Sequence, residues 1–187
     1  MPTGSEKPTA FDLSAILEGL LKADIKFILV GGLAAVVQGA PVTTMDVDIV
    51  HDRSPENISR LITFLKTVDA TYRRPDDKVI EPNERDISGM GHFLFATRFG
   101  PLDILSFIEQ RKTYEDLLVH TVEIEFRSHI IRVLNLKALV EFKKSSGNPE
   151  DKQRLMVLEE TLRQVNEEFG IDRESKRSGD RNDDGDQ

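Results

Sequence analysis

Two aspartates separated by one residue are the first feature of this sequence that could carry chemistry. Asp46 and Asp48 lie in TTMDVDIV, where the β-branched residues predict a strand over residues 44–50. Side chains at positions i and i+2 of a strand point to the same face, so both carboxylates would project together. Close carboxylates repel each other, and keeping both ionised favours a bound cation or, alternatively, full exposure to water.

A third aspartate lies in a second apolar segment. Asp103 falls in GPLDILSF, in a strand predicted over residues 102–107. A carboxylate there costs free energy unless it is paired or binds a metal; the alternative is an Asp at the strand start that caps backbone donors near Pro101. The chain has no Cys, and its four His lack metal-ligand spacing. Oxygen-only ligation by the Asp46 and Asp48 pair favours Mg²⁺ or Mn²⁺ over Zn²⁺.

A glycine pair lies between an apolar strand and a short helix. Gly31 and Gly32 follow the strand predicted over 26–30 and precede a helix predicted over 33–38. Glycine lets the backbone approach a ligand, and free N–H groups at a helix start suit phosphate, although ordinary tight turns use glycine pairs too. The Thr44 hydroxyl could also donate to a phosphate, with plain strand propensity as the alternative.

The remaining elements predict an α+β fold, with a mixed sheet flanked by helices and helices at the C-terminus. The expected elements are helices starting at Asp12 or Ser14 and at Pro55, strand pairs within 92–107 and 121–134, and helices over 135–145 and from Pro149 to about Glu168. Residues 70–90 read as a polar loop or irregular hairpin. Its Arg73 and Arg74 could contact a substrate, but a flexible charged loop is the simpler interpretation.

The domain organisation expected from these elements is a single domain. Residues 1–10 form a flexible lead-in, 11–134 the α/β core, 135–168 a helical part of the same domain, and 169–187 a disordered acidic tail.

Composition excludes several function classes. A net charge of -8 disfavours a long phosphate-binding footprint for duplex nucleic acid. Apolar runs fall short of the roughly 18 to 20 residues that a membrane span needs, and MPTGSEKPTA lacks a signal-peptide layout, so we expect a cytoplasmic protein without a membrane partner. The sequence has no P-loop, G-x-G-x-x-G or G-x-S-x-G motif.

Taken in order, these motifs resemble a known superfamily. VGG, then T-x-DVDI, then a distant strand Asp in LDIL resembles the DNA-polymerase-β nucleotidyltransferases. LVGGLAAVVQGAPVTTMDVDIV is similar to the minimal and AbiEii-like toxin branch, and EFKKSSGNPEDKQRL resembles the C-terminal helical motif of that branch. The resemblance covers roughly residues 11–160 and implies a nucleotidyltransferase-like sheet.

The resemblance also implies roles for the residues singled out above. Asp46, Asp48 and Asp103 would be catalytic residues that ligate two Mg²⁺ (or Mn²⁺) ions. Gly31 and Gly32 would cradle the β- and γ-phosphates of a nucleoside triphosphate.

Two residues near the C-terminus match the branch as well. Lys143 falls where the branch has a helix Lys that faces the phosphates, although a solvated helix face would explain it equally well. Asp151 matches the Asp after the proline turn.

Three positions depart from the branch. Val42 replaces an Arg before the T-x-D motif, Gln38 replaces a His before the turn glycine, and Asn148 replaces a basic residue before Pro149. These losses leave the three aspartates intact but put substrate handling, and activity itself, in doubt.

The function implied is transfer of a nucleoside monophosphate from a nucleoside triphosphate to an acceptor, which is a tRNA, a protein or a small molecule. A toxin–antitoxin or phage-defence role, with an antitoxin protein as partner, follows from the branch. The alternatives are a non-catalytic nucleotide- or protein-binding module on the same fold, and a structural α+β protein with coincidental aspartates.

Overall fold

A computed structural model describes residues 11–76, 78–145 and 149–169 of the chain. The predicted lead-in over 1–10 and nearly all of the predicted tail lie outside these residues. None of the described helices is long and apolar enough to cross a membrane.

Helices and strands alternate irregularly along the described residues. The helices are α1 (Leu13–Lys22), α2 (Gly31–Val36), α3 (Pro55–Thr67), α4 (Glu84–Ile87), α5 (Tyr114–Leu117), α6 (Leu136–Ser145) and α7 (Pro149–Phe169). The strands are β1 (Phe27–Val30), β2 (Val47–His51), β3 (Thr71–Tyr72), β4 (His92–Thr97), β5 (Gly100–Leu105), β6 (Thr121–Phe126) and β7 (His129–Leu134). Two short 3-10 turns span Glu109–Arg111 and Leu118–His120.

All seven strands join one mixed sheet in the order β3-β4-β5-β2-β1-β7-β6. The β1–β7 and β2–β5 pairs are parallel, and the other pairs are antiparallel. The central strands are apolar and carry much of the core, which explains why β1 reads as an uninterrupted apolar run. The expected mixed α/β sheet flanked by helices is confirmed.

The helices cover the sheet with the apolar faces that their sequences predict. In α1, Ile16, Leu17 and Leu20 are buried, and the helix contacts α3, β2 and β5. Asp12 is its N-cap, because the Ala15 N–H donates to Asp12 Oδ1 at 2.9 Å. Near the C-terminus, α6 contacts both α2 and α7.

Several predicted boundaries were wrong by a few residues. Helix α2 begins at Gly31 itself, and β2 begins at Val47, so Asp46 lies in a bend just before the strand. Strand β5 begins at Gly100 because the β4–β5 turn consists of Arg98 and Phe99; the Thr97 hydroxyl closes it by donating to the Gly100 carbonyl at 2.7 Å.

The segment 70–90 contains more structure than a loop. It includes strand β3 and helix α4, whose N-cap Asn83 accepts a hydrogen bond from the Asp86 N–H at 3.0 Å. The short lengths of both elements explain why sequence periodicity did not reveal them.

Candidate active site

The three aspartates converge where β2 and β5 run side by side. Asp48 and Asp103 are direct partners in the parallel β2–β5 register. Asp46 precedes β2 by one residue, and one carboxylate oxygen from each of the three aspartates lies within 4.8 Å of the others. Asp103 therefore lies inside its strand, three residues after its start, which is inconsistent with the alternative of a capping Asp at the turn.

Asp46, Asp48 and Asp103 form the carboxylate cluster, and burial acts on two of its members, Asp48 and Asp103. Burial, followed by the charges of Asp46 and Asp103, raises the pKa of Asp48 to about 7. Asp103 is only 8% exposed, and burial raises its pKa too. The cluster thus concentrates negative charge where water solvates it poorly.

Arg73 forms an ion pair with one member of this cluster. Its guanidinium Nη2 forms an ion pair with Asp103 Oδ1 and opposes the rise of the pKa of Asp103. The side chain is positioned by its backbone, since the Arg73 N–H donates to the Leu94 carbonyl at 2.8 Å. The sequence predicted that Arg73 belongs to a flexible charged loop. The two-residue strand β3, which ends directly before Arg73, was not predicted.

The glycine pair comes very close to the cluster. Gly31 has a φ of +68°, and a Cβ on it would lie 2.1 Å from Asp48 Oδ2. A Cβ on Gly32 would lie 2.8 Å from the Thr44 hydroxyl oxygen. That hydroxyl donates to Asp46 Oδ1 at 3.0 Å, so Thr44 orients a carboxylate of the cluster. Only glycine allows this approach of α2 to β2.

Lys143 in α6 lies at the junction of two recesses that meet beside Asp48. Gly31, Asp48 and Lys143 line both of them. The positive charge of Lys143 opposes the rise in the pKa of Asp48. The smaller recess has a volume of about 120 Å³ and also carries Gly32 and Arg154, a second cation that sequence reasoning missed.

The larger recess is an apolar cleft of about 430 Å³. It lies between the sheet, α6 and the segment 107–111. Its apolar lining comes from Val30, Leu105, Phe107, Ile108, Leu134, Leu139 and Phe142. Polar groups at its margin include His92, Glu109 and Arg111. A cleft of this size and lining suits the body of a small organic molecule.

Two of the three departures from the toxin branch have a structural account. Gln38 joins α2 to the start of α6: its Nε2 donates to the carbonyls of Ala34 at 2.7 Å and Leu134 at 2.9 Å. Its Oε1 accepts from the Leu136 N–H at 3.1 Å. Val42 packs against the core and lines the smaller recess, so no charge enters the site from that position.

Two further positions that were compared with the toxin branch lie near the start of α7, and the structure does not describe their side chains. Asn148 lies outside the described residues, and the side chain of Asp151 does too, although its backbone belongs to the first turn of α7.

The carboxylate cluster fits a divalent cation. Three hard oxygen donors converge within 4.8 Å, which is the donor type that Mg²⁺ and Mn²⁺ prefer. The raised pKa of Asp48 marks unbalanced negative charge that a dication would neutralise.

The mixed sheet flanked by helices is similar to the fold of solved nucleotidyltransferases. The lincosamide antibiotic adenylyltransferase LnuA, solved with lincomycin bound, aligns with a TM-score of 0.52 and 15% identity over 78% of this chain and 92% of its own. ANT(2'')-Ia in complex with adenylyl-2''-tobramycin aligns with a TM-score of 0.52 and 14% identity over 88% of this chain and 97% of its own. No protein-family model matches the chain, and curated proteins give no significant match.

Proposed function

We propose that this chain is a metal-dependent nucleotidyltransferase that moves a nucleoside monophosphate from a nucleoside triphosphate to a hydroxyl of an acceptor. The observation that carries the proposal is the position of the carboxylate cluster directly against the α2 backbone at Gly31. The acceptor oxygen would attack the α-phosphorus, the bond to the β-phosphate would break, and pyrophosphate would leave.

Each residue of the site has a role in this reaction. Asp46 and Asp48 would hold both of two Mg²⁺ or Mn²⁺ ions, and Asp103 would hold one of them. Bound there, the ions supply Lewis acidity for the acceptor hydroxyl and charge neutralisation for pyrophosphate. Asp103 would accept the hydroxyl proton on a carboxylate oxygen. The backbone at Gly31 and Gly32 would face the phosphates.

Cations on the C-terminal helices would assist the donor. Lys143 and Arg154 both line the smaller recess beside Asp48, so they would bind the triphosphate from the side opposite the sheet. Thr44 would keep Asp46 in position through its hydrogen bond.

We propose a small organic molecule as the acceptor. Asp48 is among the residues that line the apolar cleft of about 430 Å³, and this volume suits a small molecule. The net charge of -8 also disfavours a large RNA. LnuA and ANT(2'')-Ia, which share the fold, were solved with an antibiotic or its adenylylated product bound.

The acceptor class can be tested with an NTP labelled at its α-phosphate. The protein is incubated with Mg²⁺, the labelled NTP and a cell extract separated into small molecules, RNA and protein. Label is expected in the small-molecule fraction. Label in RNA or protein alone would contradict this choice of acceptor while leaving the transfer reaction standing.

A toxin–antitoxin or phage-defence role in the AbiEii-like branch rests on the sequence resemblance. If the chain is such a toxin, its expression arrests bacterial growth, Asp48→Asn relieves the arrest, and the product of an adjacent gene acts as antitoxin. Growth unaffected by wild-type protein at confirmed expression levels would remove this role.

The first experiment is a thermal-shift titration with each NTP, with and without Mg²⁺, on wild type and Asp48→Asn. A ligand at roughly one hundred times its Kd adds about 2.7 kcal/mol to the free energy of unfolding. Stabilisation by one NTP that needs Mg²⁺ and is lost in Asp48→Asn supports the site and identifies the donor. No shift with any NTP would contradict nucleotide binding.

The second candidate function is a nucleotide-binding module without turnover. Two observations favour it: Val42 brings no charge to the site, and the Arg73 guanidinium occupies an oxygen of Asp103. NTP-dependent stabilisation without label transfer to any fraction would support this candidate over the enzyme.

A further inference from the structure

We propose that Arg73 is the resident counter-cation of the carboxylate cluster, that a divalent ion displaces its guanidinium from Asp103, and that the displaced guanidinium then binds phosphate. The inference rests on the proposed function, because it requires the cluster to bind a metal ion. It adds a residue and an order of events that neither the motifs nor the fold assign.

The contact is built into the sheet. The Arg73 N–H donates to the Leu94 carbonyl at 2.8 Å, and Leu94 is the register partner of Asp103 across the β4–β5 pair. The backbone of Arg73 is therefore tied to the far side of β4 from Asp103, and its side chain crosses β4 to reach Asp103 Oδ1. A loose surface arginine would lack this backbone anchor.

The two side chains of the pair differ in exposure. The Asp103 side chain is 12% exposed, whereas that of Arg73 is 34% exposed. Asp103 has little freedom to leave the cluster, but the guanidinium can swing out toward solvent without disturbing the core. When a competing cation arrives, Arg73 is the partner that moves.

Electrostatic repulsion by a bound dication is the reason that the Arg73 guanidinium would leave Asp103. Asp103 Oδ1 accepts from Arg73, and the three aspartate oxygens that could ligate a cation lie within 4.8 Å of one another. A dication among those oxygens would lie within a few ångströms of the guanidinium and repel it strongly in a poorly solvated site.

The displaced side chain has a suitable new partner. Its backbone anchor keeps it at the rim of the cluster, and the planar fork of guanidinium donors matches phosphate oxygens. We therefore expect Arg73 to weaken metal binding to the ligand-free protein and to strengthen the binding of a polyphosphate once metal is present.

The test measures Mn²⁺ binding by electron paramagnetic resonance on the ligand-free protein, with wild type, Arg73→Gln and Arg74→Gln. Arg74 is the matched control, because it is the adjacent residue, loses the same charge and pairs with the exposed Asp76. We expect Arg73→Gln to bind Mn²⁺ about tenfold more tightly than wild type, and Arg74→Gln to change its affinity less than about twofold. Arg73→Lys keeps the positive charge, so its Mn²⁺ affinity should stay within about twofold of wild type. A tenfold increase in Mn²⁺ affinity in Arg73→Lys would show that charge is not the cause and would overturn the inference.

A second titration adds inorganic pyrophosphate at saturating Mn²⁺. We expect Arg73→Gln to bind pyrophosphate about tenfold more weakly than wild type, with Arg74→Gln unchanged. Unchanged pyrophosphate affinity in Arg73→Gln would overturn the phosphate role.

The remaining outcomes separate this inference from the proposed function. Equal Mn²⁺ affinity in wild type and both Gln variants would overturn the displacement of Arg73 while leaving the metal site standing. An equal increase in Mn²⁺ affinity in Arg73→Gln and Arg74→Gln would show that the effect comes from general surface charge. That result would overturn the inference as well. Mn²⁺ binding to none of the proteins would overturn both the inference and the metal-dependent function.

Discussion

Two groups of charged residues in this chain differ in their effect on the stability of the folded state. On α7, Arg163 pairs with Glu160 at 2.6 Å and also with Glu167, and all three side chains are at least half exposed. In the carboxylate cluster, like charges converge within 4.8 Å, and Asp103 is almost buried. The ion pairs on α7 are exposed to water, so they contribute little to stability. In the carboxylate cluster, burial and repulsion between like charges destabilise the folded state. This contrast is what the proposed metal site would explain, because a bound cation would offset the repulsion within the cluster.

Asp48→Asn gives the largest expected effect. If the cluster holds the catalytic metal, we expect nucleotidyl transfer to fall at least about a thousandfold, as for loss of a group that stabilises transition-state charge. The metal-free variant should nevertheless be more stable than wild type at pH 8, by about 1–3 kcal/mol, because a buried like charge has been removed. Transfer is measured by pyrophosphate release and stability by urea unfolding with EDTA.

The pH dependence provides the control for this prediction. The pKa of Asp48 is raised from 3.8 to about 7 in the folded protein, so the folded state holds more protons than the unfolded state between these values. Stability therefore falls as pH rises from about 4 to 7, and the full cost is present above pH 7. The gain from Asp48→Asn should be larger at pH 8 than at pH 5. A gain that is equal at both pH values would show that charge is not its cause.

The proximity of Asp46 and Asp48 was predictable because residues at i and i+2 of an extended segment share a face, although Asp46 lies in a bend just before β2. That Asp103 joins this pair was implied by the family resemblance and did not follow from strand period. Arg73 was not predictable in the same way. Its contact with Asp103 depends on the pairing of a two-residue strand, and such pairing leaves no periodic pattern in the sequence.

The apolar cleft was hidden for a similar reason. The predicted strand over residues 102–107 ends at Phe107, and the predicted helix over 135–145 contains Leu139 and Phe142. Leu139 and Phe142 belong to the buried core, and only the tertiary position of α6, which contacts the 3-10 turn Glu109–Arg111, brings them together with Phe107 as the lining of a cleft. Helix and strand boundaries shifted by one to three residues because turn hydrogen bonds, such as that of Thr97, set them.

Gly31→Ala tests how closely the backbone must approach the cluster, and its expected effect is intermediate. The new Cβ would lie 2.1 Å from Asp48 Oδ2 at a φ of +68°, so we expect a loss of about 2–4 kcal/mol in the free energy of unfolding. Gly39→Ala is the matched control: its φ is +94°, and no described atom lies within 4 Å of its Cβ. Backbone strain alone should cost Gly39→Ala about 1 kcal/mol. Equal losses in urea unfolding for the two variants would contradict the close approach at Gly31.

Arg163→Gln should have the smallest effect and tests the other half of the comparison. Glutamine keeps the helix propensity of this exposed position and removes both ion pairs with Glu160 and Glu167. Since water and salt screen such pairs, we expect no measurable change in the urea midpoint at 0.15 M salt. Repeating the measurement at low salt is the sharper check, because screening weakens there and any contribution should emerge. A clear destabilisation at physiological salt would mean that the α7 pairs support the packing of this helix on α6, and that exposure alone does not separate the two groups of charges.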